Sequence, residues 1–102
     1  MDSKILQLNF KLGVSSAEYE TVASAIAGEF AKVDGLRWKV WILNKAESEA
    51  GGIYLFKDET SLKAFLDGPL AAQVAGHPAV KDLSVKRFDV MGDATAVTRG
   101  PV

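Results

Sequence analysis

Residues 36–44 read Leu-Arg-Trp-Lys-Val-Trp-Ile-Leu-Asn, and residues 51–56 read Gly-Gly-Ile-Tyr-Leu-Phe. Both stretches are rich in the β-branched and aromatic side chains that favour β-strands. The polar residues 45–50 between them are typical of a turn. The sequence therefore predicts a hairpin with a mobile tip, whose two strands cover residues 36–44 and 53–56.

The first strand of this hairpin has two distinct faces, because successive side chains of a strand point in opposite directions. Trp38 and Trp41 are three residues apart and are expected on opposite faces. The alternation places Trp38, Val40 and Ile42 opposite Arg37, Lys39 and Trp41.

Upstream of the hairpin, the sequence predicts a strand and then a helix. Residues 4–10 alternate, with Leu6, Leu8 and Phe10 on one face. From Ser15 onward, apolar residues recur at helical spacing. Ser15 and Glu18 fit the capping box of a helix start, and Gly35 suits the left-handed residue that ends a helix.

Downstream, a second helix and a fourth strand are expected. Asp58 is placed to cap the helix, and Gly68-Pro69 interrupts it, because proline lacks the amide hydrogen that a helix needs. A further short helical segment runs to Gly76. Residues 83–90 form the fourth strand, with a bulge suggested between Val85 and Phe88. The tail from residue 92 is expected to be loose or to lie on a partner.

The order β-α-β-β-α-β predicts an α+β domain of the ferredoxin-like type over residues 1–102, with two helical regions on one face of a four-stranded antiparallel sheet. The other sheet face is too polar for a core and too apolar for plain solvent. A second copy of the chain is therefore expected to cover it. The residues assigned to this face are Gln7, Asn9, Arg37, Lys39, Trp41, Val85 and Arg87.

Composition limits the possible partners. The chain has 102 residues and a formal net charge of −1, and its basic residues are dispersed among acidic ones, so no nucleic-acid partner is expected. It contains no cysteine and one histidine, so no metal site is expected. Neither a secretory signal nor a run of about 20 apolar residues occurs, so we expect a cytoplasmic protein without a membrane partner.

Three segments carry a family resemblance. They are Leu-Arg-Trp-Lys-Val-Trp at 36–41, Glu-Ala-Gly-Gly-Ile-Tyr-Leu-Phe at 49–56 and Phe-Asp-Val at 88–90. Through them the chain resembles the YdhR-type mono-oxygenases of the dimeric α/β-barrel class. The resemblance implies a homodimer in which two sheets form a barrel with the helices outside. Better-characterised relatives of that fold oxidise aromatic polyketides or quinols without flavin, metal or haem, so no cofactor is expected.

Oxygenation without a cofactor requires an apolar pocket, a hydrogen bond to the developing oxyanion and a base. The side chains that we expect to line a pocket for a small aromatic ligand are Trp38, Trp41, Tyr54, Phe56 and Phe65. Asn9, Tyr54, His77 and Arg87 are the candidate polar partners. Histidine titrates near neutrality, which makes His77 the candidate base. The aromatic residues equally suit an ordinary core or a dimer contact.

The expected site is a cavity between the helices and the sheet, lined by Trp38, Phe65 and either Tyr54 or Phe56, with His77 at its mouth. Two alternatives remain open. Haem-degrading relatives of this fold use an asparagine on the first strand and a histidine after the second helix, which Asn9 and His77 loosely match; their third-strand tryptophan is replaced here by Tyr54 or Phe56. The other alternative is a dimer that binds a small apolar ligand without catalysis.

Overall fold

The computed structural model describes residues 2–102. Its four strands form one antiparallel sheet in the order β2-β3-β1-β4. This topology confirms the ferredoxin-like prediction. In chain order the elements are β1 (Lys4–Leu12), α1 (Ser16–Ala31), β2 (Leu36–Asn44), β3 (Glu49–Phe56), α2 (Glu59–Leu66), α3 (Pro69–Gly76), β4 (Val80–Asp89) and α4 (Gly92–Val97).

The predicted starts of α1 and α2 are confirmed by their capping contacts. The Ser15 side chain accepts a hydrogen bond from the Glu18 amide at 3.1 Å, and Asp58 accepts one from the Ser61 amide at 2.8 Å. Gly35 has φ +80°, a conformation that favours glycine, but α1 ends earlier, at Ala31, so Gly35 lies in the turn before β2 and does not end the helix. Helices α2 and α3 meet at Gly68-Pro69, as the proline predicts. No helix within residues 2–102 is long and apolar enough to cross a membrane.

Strand β2 contains a bulge that its alternating sequence does not reveal. Leu36 pairs with Phe56, and Trp38 pairs with the next residue of β3, Leu55. Arg37 is therefore an extra residue, and it reverses the side-chain directions of the rest of the strand. Trp38 and Trp41 lie on opposite faces, as predicted, but the two faces are exchanged: Trp38 lies on the open face of the sheet, while Lys39 and Trp41 face the helices.

Strand β4 also differs from its prediction. Its pairing with β1 is continuous from Val85 to Phe88, and the irregularity lies nearer the start of the strand, where Asp82 has φ 53°. Arg87 pairs with Leu6 and Val85 with Leu8, so both belong to the helix-bearing face rather than the open face. They are nevertheless exposed, because β4 is the edge strand and the helices do not cover that end of it.

The core lies between the helices and the sheet. Side chains from β1, β3, α1 and α2 meet there in one apolar cluster, which consists of Leu6, Leu8, Phe30, Tyr54, Phe56, Leu62 and Phe65. The aromatic rings are in direct contact: Tyr54 lies 5.3 Å from Phe65 between centroids, and Phe56 lies 5.6 Å from Phe65. Close packing of this kind makes the helix-bearing face of the sheet rigid.

The C-terminal tail is ordered against its own chain, which corrects the expectation of a loose segment. It forms α4, and the indole Nε1 of Trp38 then donates a hydrogen bond of 2.8 Å to the carbonyl oxygen of Pro101. Because β4 and β2 are opposite edges of the sheet, the chain crosses from one edge to the other to make this contact. Leu55, on the open face beside Trp38, is fully buried. We infer that the tail covers this part of the open face.

Candidate functional site

A cavity of about 100 Å³ lies between α1, α3 and the sheet, as the sequence predicts. Its floor is formed by β1, β2 and β3, and its walls are formed by the two helices and the segment that follows α3. The lining is mostly apolar, with aromatic rings and a few polar groups. The residues on which its chemistry depends are Tyr19, Phe30, Lys39, Trp41, Tyr54 and His77.

Lys39 extends from β2 into the cavity and ends among three aromatic rings. Its Nζ atom lies 3.5 Å from the ring centroid of Phe30, 3.3 Å from that of Trp41 and 4.6 Å from that of Tyr54. Phe30 and Trp41 pack edge to face at 5.1 Å, which fixes two walls of this cage. The amine is thus held at a defined position in largely apolar surroundings.

Two opposing effects determine the charge of this amine. Removal from water disfavours the ammonium form and lowers the pKa of Lys39 from its ordinary 10.5 to about 7. The faces of the rings attract a cation and oppose part of that effect. Four other titratable side chains line the cavity: Tyr19, Glu29, Tyr54 and His77. Because the pKa of Lys39 is about 7, a substantial fraction of its side chain is a neutral amine near pH 7 and can accept a proton.

Gly52 makes room for this arrangement. It lies on β3 opposite Trp41, on the floor of the cavity. A Cβ atom at this position would lie 2.7 Å from Cε of Lys39 and 3.1 Å from Cε1 of Tyr54. Both distances are shorter than a normal carbon–carbon contact, so only glycine lets the lysine stem and the tyrosine ring pack as they do.

Tyr54 supplies the second polar group of the cavity. The residue is almost completely buried, and its hydroxyl has no hydrogen-bond partner among residues 2–102. Burial raises the pKa of the hydroxyl, so it stays protonated at neutral pH. Tyr54 can therefore donate a hydrogen bond to a ligand. Its ring stacks on Phe56, with centroids 6.1 Å apart.

His77 is exposed and borders the cavity at the end of α3, which agrees with its predicted place at the mouth. Its Nδ1 atom accepts a hydrogen bond of 3.0 Å from the amide of Ala79. The neutral imidazole must then carry its proton on Nε2. In that form His77 offers a donor and not a free lone pair to the cavity, so its predicted role as a base is not favoured.

Several predicted site residues lie elsewhere. Trp38 and Asn9 are on the open face, because Arg37 is an extra residue in β2 and Asn9 alternates with the core residues of β1. Arg87 is exposed on the edge strand, outside the cavity. Phe56 and Phe65 belong to the packed core rather than the cavity lining. Of the aromatic candidates, Trp41 and Tyr54 line the cavity.

Lys39 and Phe30 are the important lining residues that the sequence prediction missed. Phe30 belongs to the apolar residues that recur at helical spacing after Ser15, a pattern that predicts a helix and no ligand site. Lys39 was assigned to the open face, where a lysine is unremarkable. The sequence offers one signal for Lys39: it lies on a strand between Trp38 and Trp41, so an aromatic neighbour is available to it whichever face it occupies.

The sequence model of the family described as "Putative mono-oxygenase ydhR" matches residues 5–101. The chain belongs to the YdhR family. The match spans all four strands and confirms the resemblance carried by the hairpin. No curated protein matches the chain at a significant level of sequence similarity.

Solved structures share the fold of this YdhR-family chain. SnoaB, a cofactor-independent oxygenase of Streptomyces nogalater, superposes with a TM-score of 0.72 at 17% identity, covering 88% of this chain and 94% of SnoaB. MhuD, a haem degrader of Mycobacterium tuberculosis with two haems in its active site, superposes with a TM-score of 0.67 at 19% identity. The match covers 85% of this chain and 95% of MhuD. NE2512 of Nitrosomonas europaea, a protein of unknown function, superposes with a TM-score of 0.74 at 18% identity. The match covers 90% of this chain and 92% of NE2512.

The buried amine predicts a pH-dependent stability. The pKa of Lys39 is lower in the folded chain, so between pH 7 and 10.5 the unfolded chain binds more protons and stability rises with pH. Below pH 7 the full cost of burying the charge remains. Lys39→Met removes that cost, so we expect it to stabilise the fold by about 2 kcal/mol at pH 6. The difference should shrink as the pH approaches 10.5.

Urea denaturation at pH 6, 8 and 10 measures this difference in the free energy of unfolding. Lys45→Met, in the exposed turn between β2 and β3, is the matched control and should give a difference that does not vary with pH. An equally constant difference for Lys39→Met would show that its amine is not desolvated in the folded chain.

Proposed function

We propose that this YdhR-family chain is a cofactor-independent mono-oxygenase acting on a small, electron-rich phenol of the quinol type. The observation that supports the proposal best is the amine of Lys39, held in an aromatic cavity that the ring of Tyr54 also lines. This site combines a base, a hydrogen-bond donor and flat apolar walls. These are the groups that oxygenation of a phenol requires from a protein.

Lys39 begins the reaction by removing the phenolic proton. Its pKa of about 7 leaves the amine free to accept a proton near neutral pH, whereas an ordinary lysine is almost entirely protonated there. The transfer produces an ammonium ion beside a phenolate. In a cavity that excludes water, this ion pair is stronger than it would be in solution. Tyr54 donates a hydrogen bond to the same oxygen and stabilises its charge.

The phenolate is then the electron donor to dioxygen. It passes one electron to O₂, and the resulting pair of radicals combines to form a carbon–oxygen bond on the ring. The Lys39 ammonium returns its proton to the peroxide, the ring carbon loses its proton, the O–O bond breaks, and one oxygen atom leaves as water. A 1,4-hydroquinone and O₂ thus give a hydroxybenzoquinone and water, in which O₂ has accepted four electrons from the substrate.

The size of the cavity favours a compound with one ring. A volume of about 100 Å³ is smaller than the roughly 300 Å³ at which pockets for drug-sized ligands begin. A single quinol ring is therefore a better match than a multi-ring polyketide. The Phe30 and Trp41 rings, which lie nearly perpendicular to each other, suit a planar ligand, since aromatic rings favour stacked or edge-to-face contacts.

Two other functions are less well supported. Haem degradation, the activity of MhuD, loses one of its two predicted residues, because Asn9 lies on the sheet face opposite the cavity. The cavity is also too small for a porphyrin. A binding protein without catalysis needs only the apolar walls, and the buried amine would then be an unexplained cost to stability.

Oxygen consumption tests the proposal. Metal-stripped protein should consume O₂ when supplied with 1,4-hydroquinones, and the rate should rise with pH through about 7 as Lys39 loses its proton. Lys39→Met should reduce kcat by about 100-fold or more, the usual contribution of a general base. Trp41→Ala should raise KM, whereas Trp38→Ala, on the opposite sheet face, should not. Full activity in the Lys39→Met variant would contradict this mechanism.

We further propose that the chain forms a homodimer through the open face of its sheet. Val40 and Phe88, both on this face, have exposed fractions of 49% and 47%. Met91 and Val97, in the tail beyond β4, have still larger exposed fractions of 76% and 77%. Apolar patches of this kind mark interaction surfaces in many proteins. A second sheet stacked at about 10 Å would bury the patch.

Sedimentation at micromolar concentration should give twice the mass of one chain. Phe88→Asp should convert the protein to a monomer, because it places a charge in the proposed interface. Val85→Asp is the matched control: Val85 lies on the same strand with the same exposed fraction of 47%, but on the other face. If the dimer persists in Phe88→Asp and dissociates in Val85→Asp, the interface lies on the helix-bearing face and the proposal is wrong.

A further inference from the structure

The cavity presents its amine as a nucleophile as well as a base. An amine attacks a carbonyl carbon only through a free lone pair, and a lysine in water lacks one at neutral pH. Desolvation in an apolar pocket is one of the ways in which proteins activate lysine for this reaction. The Lys39 amine is so placed, with its Nζ atom between the rings of Phe30 and Trp41 and within a cavity that the exposed His77 borders.

We propose that Lys39 captures small aromatic aldehydes as a reversible imine within this cavity. The aldehyde enters past His77, and its ring lies among the rings that surround the amine. This activity goes beyond the proposed oxygenation: it uses the same cavity but requires no dioxygen and no oxidation of the ligand.

The reaction proceeds in two steps that the side chains of the cavity support. The Nζ lone pair attacks the carbonyl carbon, and the electron pair of the C=O bond moves to oxygen. A proton passes from nitrogen to that oxygen and gives a carbinolamine. The hydroxyl then leaves as water while the nitrogen lone pair forms the C=N bond. The net change joins an aldehyde and an amine to give an imine and one molecule of water.

Departure of water requires a proton donor, and Tyr54 is placed to act as one. Its hydroxyl is protonated at neutral pH and forms no hydrogen bond with residues 2–102. The Lys39 amine lies 4.6 Å from the centre of the Tyr54 ring. A second donor, Nε2–H of His77, lies at the mouth, since Nδ1 is engaged by the Ala79 amide.

The shape of the cavity selects the aldehyde. Gly52 lets the side chains of Lys39 and Tyr54 pack closely against the floor, and the volume of about 100 Å³ suits one ring. The lining is predominantly apolar, so a neutral ring is favoured over a charged sugar or keto acid. Benzaldehyde is accordingly the probe that tests the idea.

Reductive trapping measures the imine. The protein is incubated at pH 7 with benzaldehyde and sodium cyanoborohydride in the absence of oxygen, and peptide mass mapping locates each benzyl group. We expect Lys39 to be modified at least about tenfold faster than any exposed lysine, because those side chains are almost entirely protonated at this pH. Lys45, in the exposed turn, is the internal reference.

Two variants keep the test decisive. Lys39→Arg retains the positive charge but has no nucleophilic amine, and it should lose the fast modification while circular dichroism shows an intact fold. Trp41→Ala removes one wall of the cage and should slow modification at Lys39 but not at Lys45. Modification at Lys39 no faster than at Lys45 in the native chain would overturn the proposal.

The outcomes also separate this proposal from the proposed function. Trapping at Lys39 without oxygen consumption on any quinol would leave imine formation intact and remove the oxygenase assignment. Oxygen consumption without selective trapping would leave the oxygenase assignment intact and remove imine formation. It would show an amine that serves as a base but is not accessible to a carbonyl carbon.

Discussion

The extra residue at Arg37 determines which side chains of β2 reach the helices. Without it, Trp38 would follow Leu36 onto the core face and Lys39 would point toward the open face. With it, Lys39 and Trp41 enter the space beneath α1, and Trp38 turns to the open face to bond the C-terminal tail. One inserted residue thus defines both the cavity with its amine and the contact that holds the tail across the sheet.

The remainder of the cavity is built to tolerate a buried amine. Phe30 from α1 and Trp41 from β2 provide ring faces that offset part of the desolvation of Lys39, and Gly52 provides the space for its stem. Tyr54 connects this site to the core, because its ring packs on Phe56 and Phe65. The amine therefore sits on a rigid support, which is the condition under which a shifted pKa becomes useful for chemistry.

The order of elements could be predicted from the sequence because each element carries a strong local signal: the alternation of β1, the caps at Ser15 and Asp58, and the break at Gly68-Pro69. The site could be predicted only in part. A bulge depends on how two strands pair, which a single strand's alternation does not encode, so Trp38 and Lys39 were assigned to each other's faces. The hydrogen bond that fixes the proton of His77 depends on the turn to Ala79, which is likewise a property of the folded chain.

Desolvation lowers the pKa of the Lys39 amine to about 7, and this pKa can be measured directly. Nuclear magnetic resonance of the lysine side chains, with the Lys39 signal assigned by its absence in Lys39→Arg, follows the Cε shift of each lysine with pH. We expect the titration of the Lys39 Cε shift to have its midpoint at a pH of about 7. A Lys39 midpoint above about 10, the value of a solvated lysine, would contradict it.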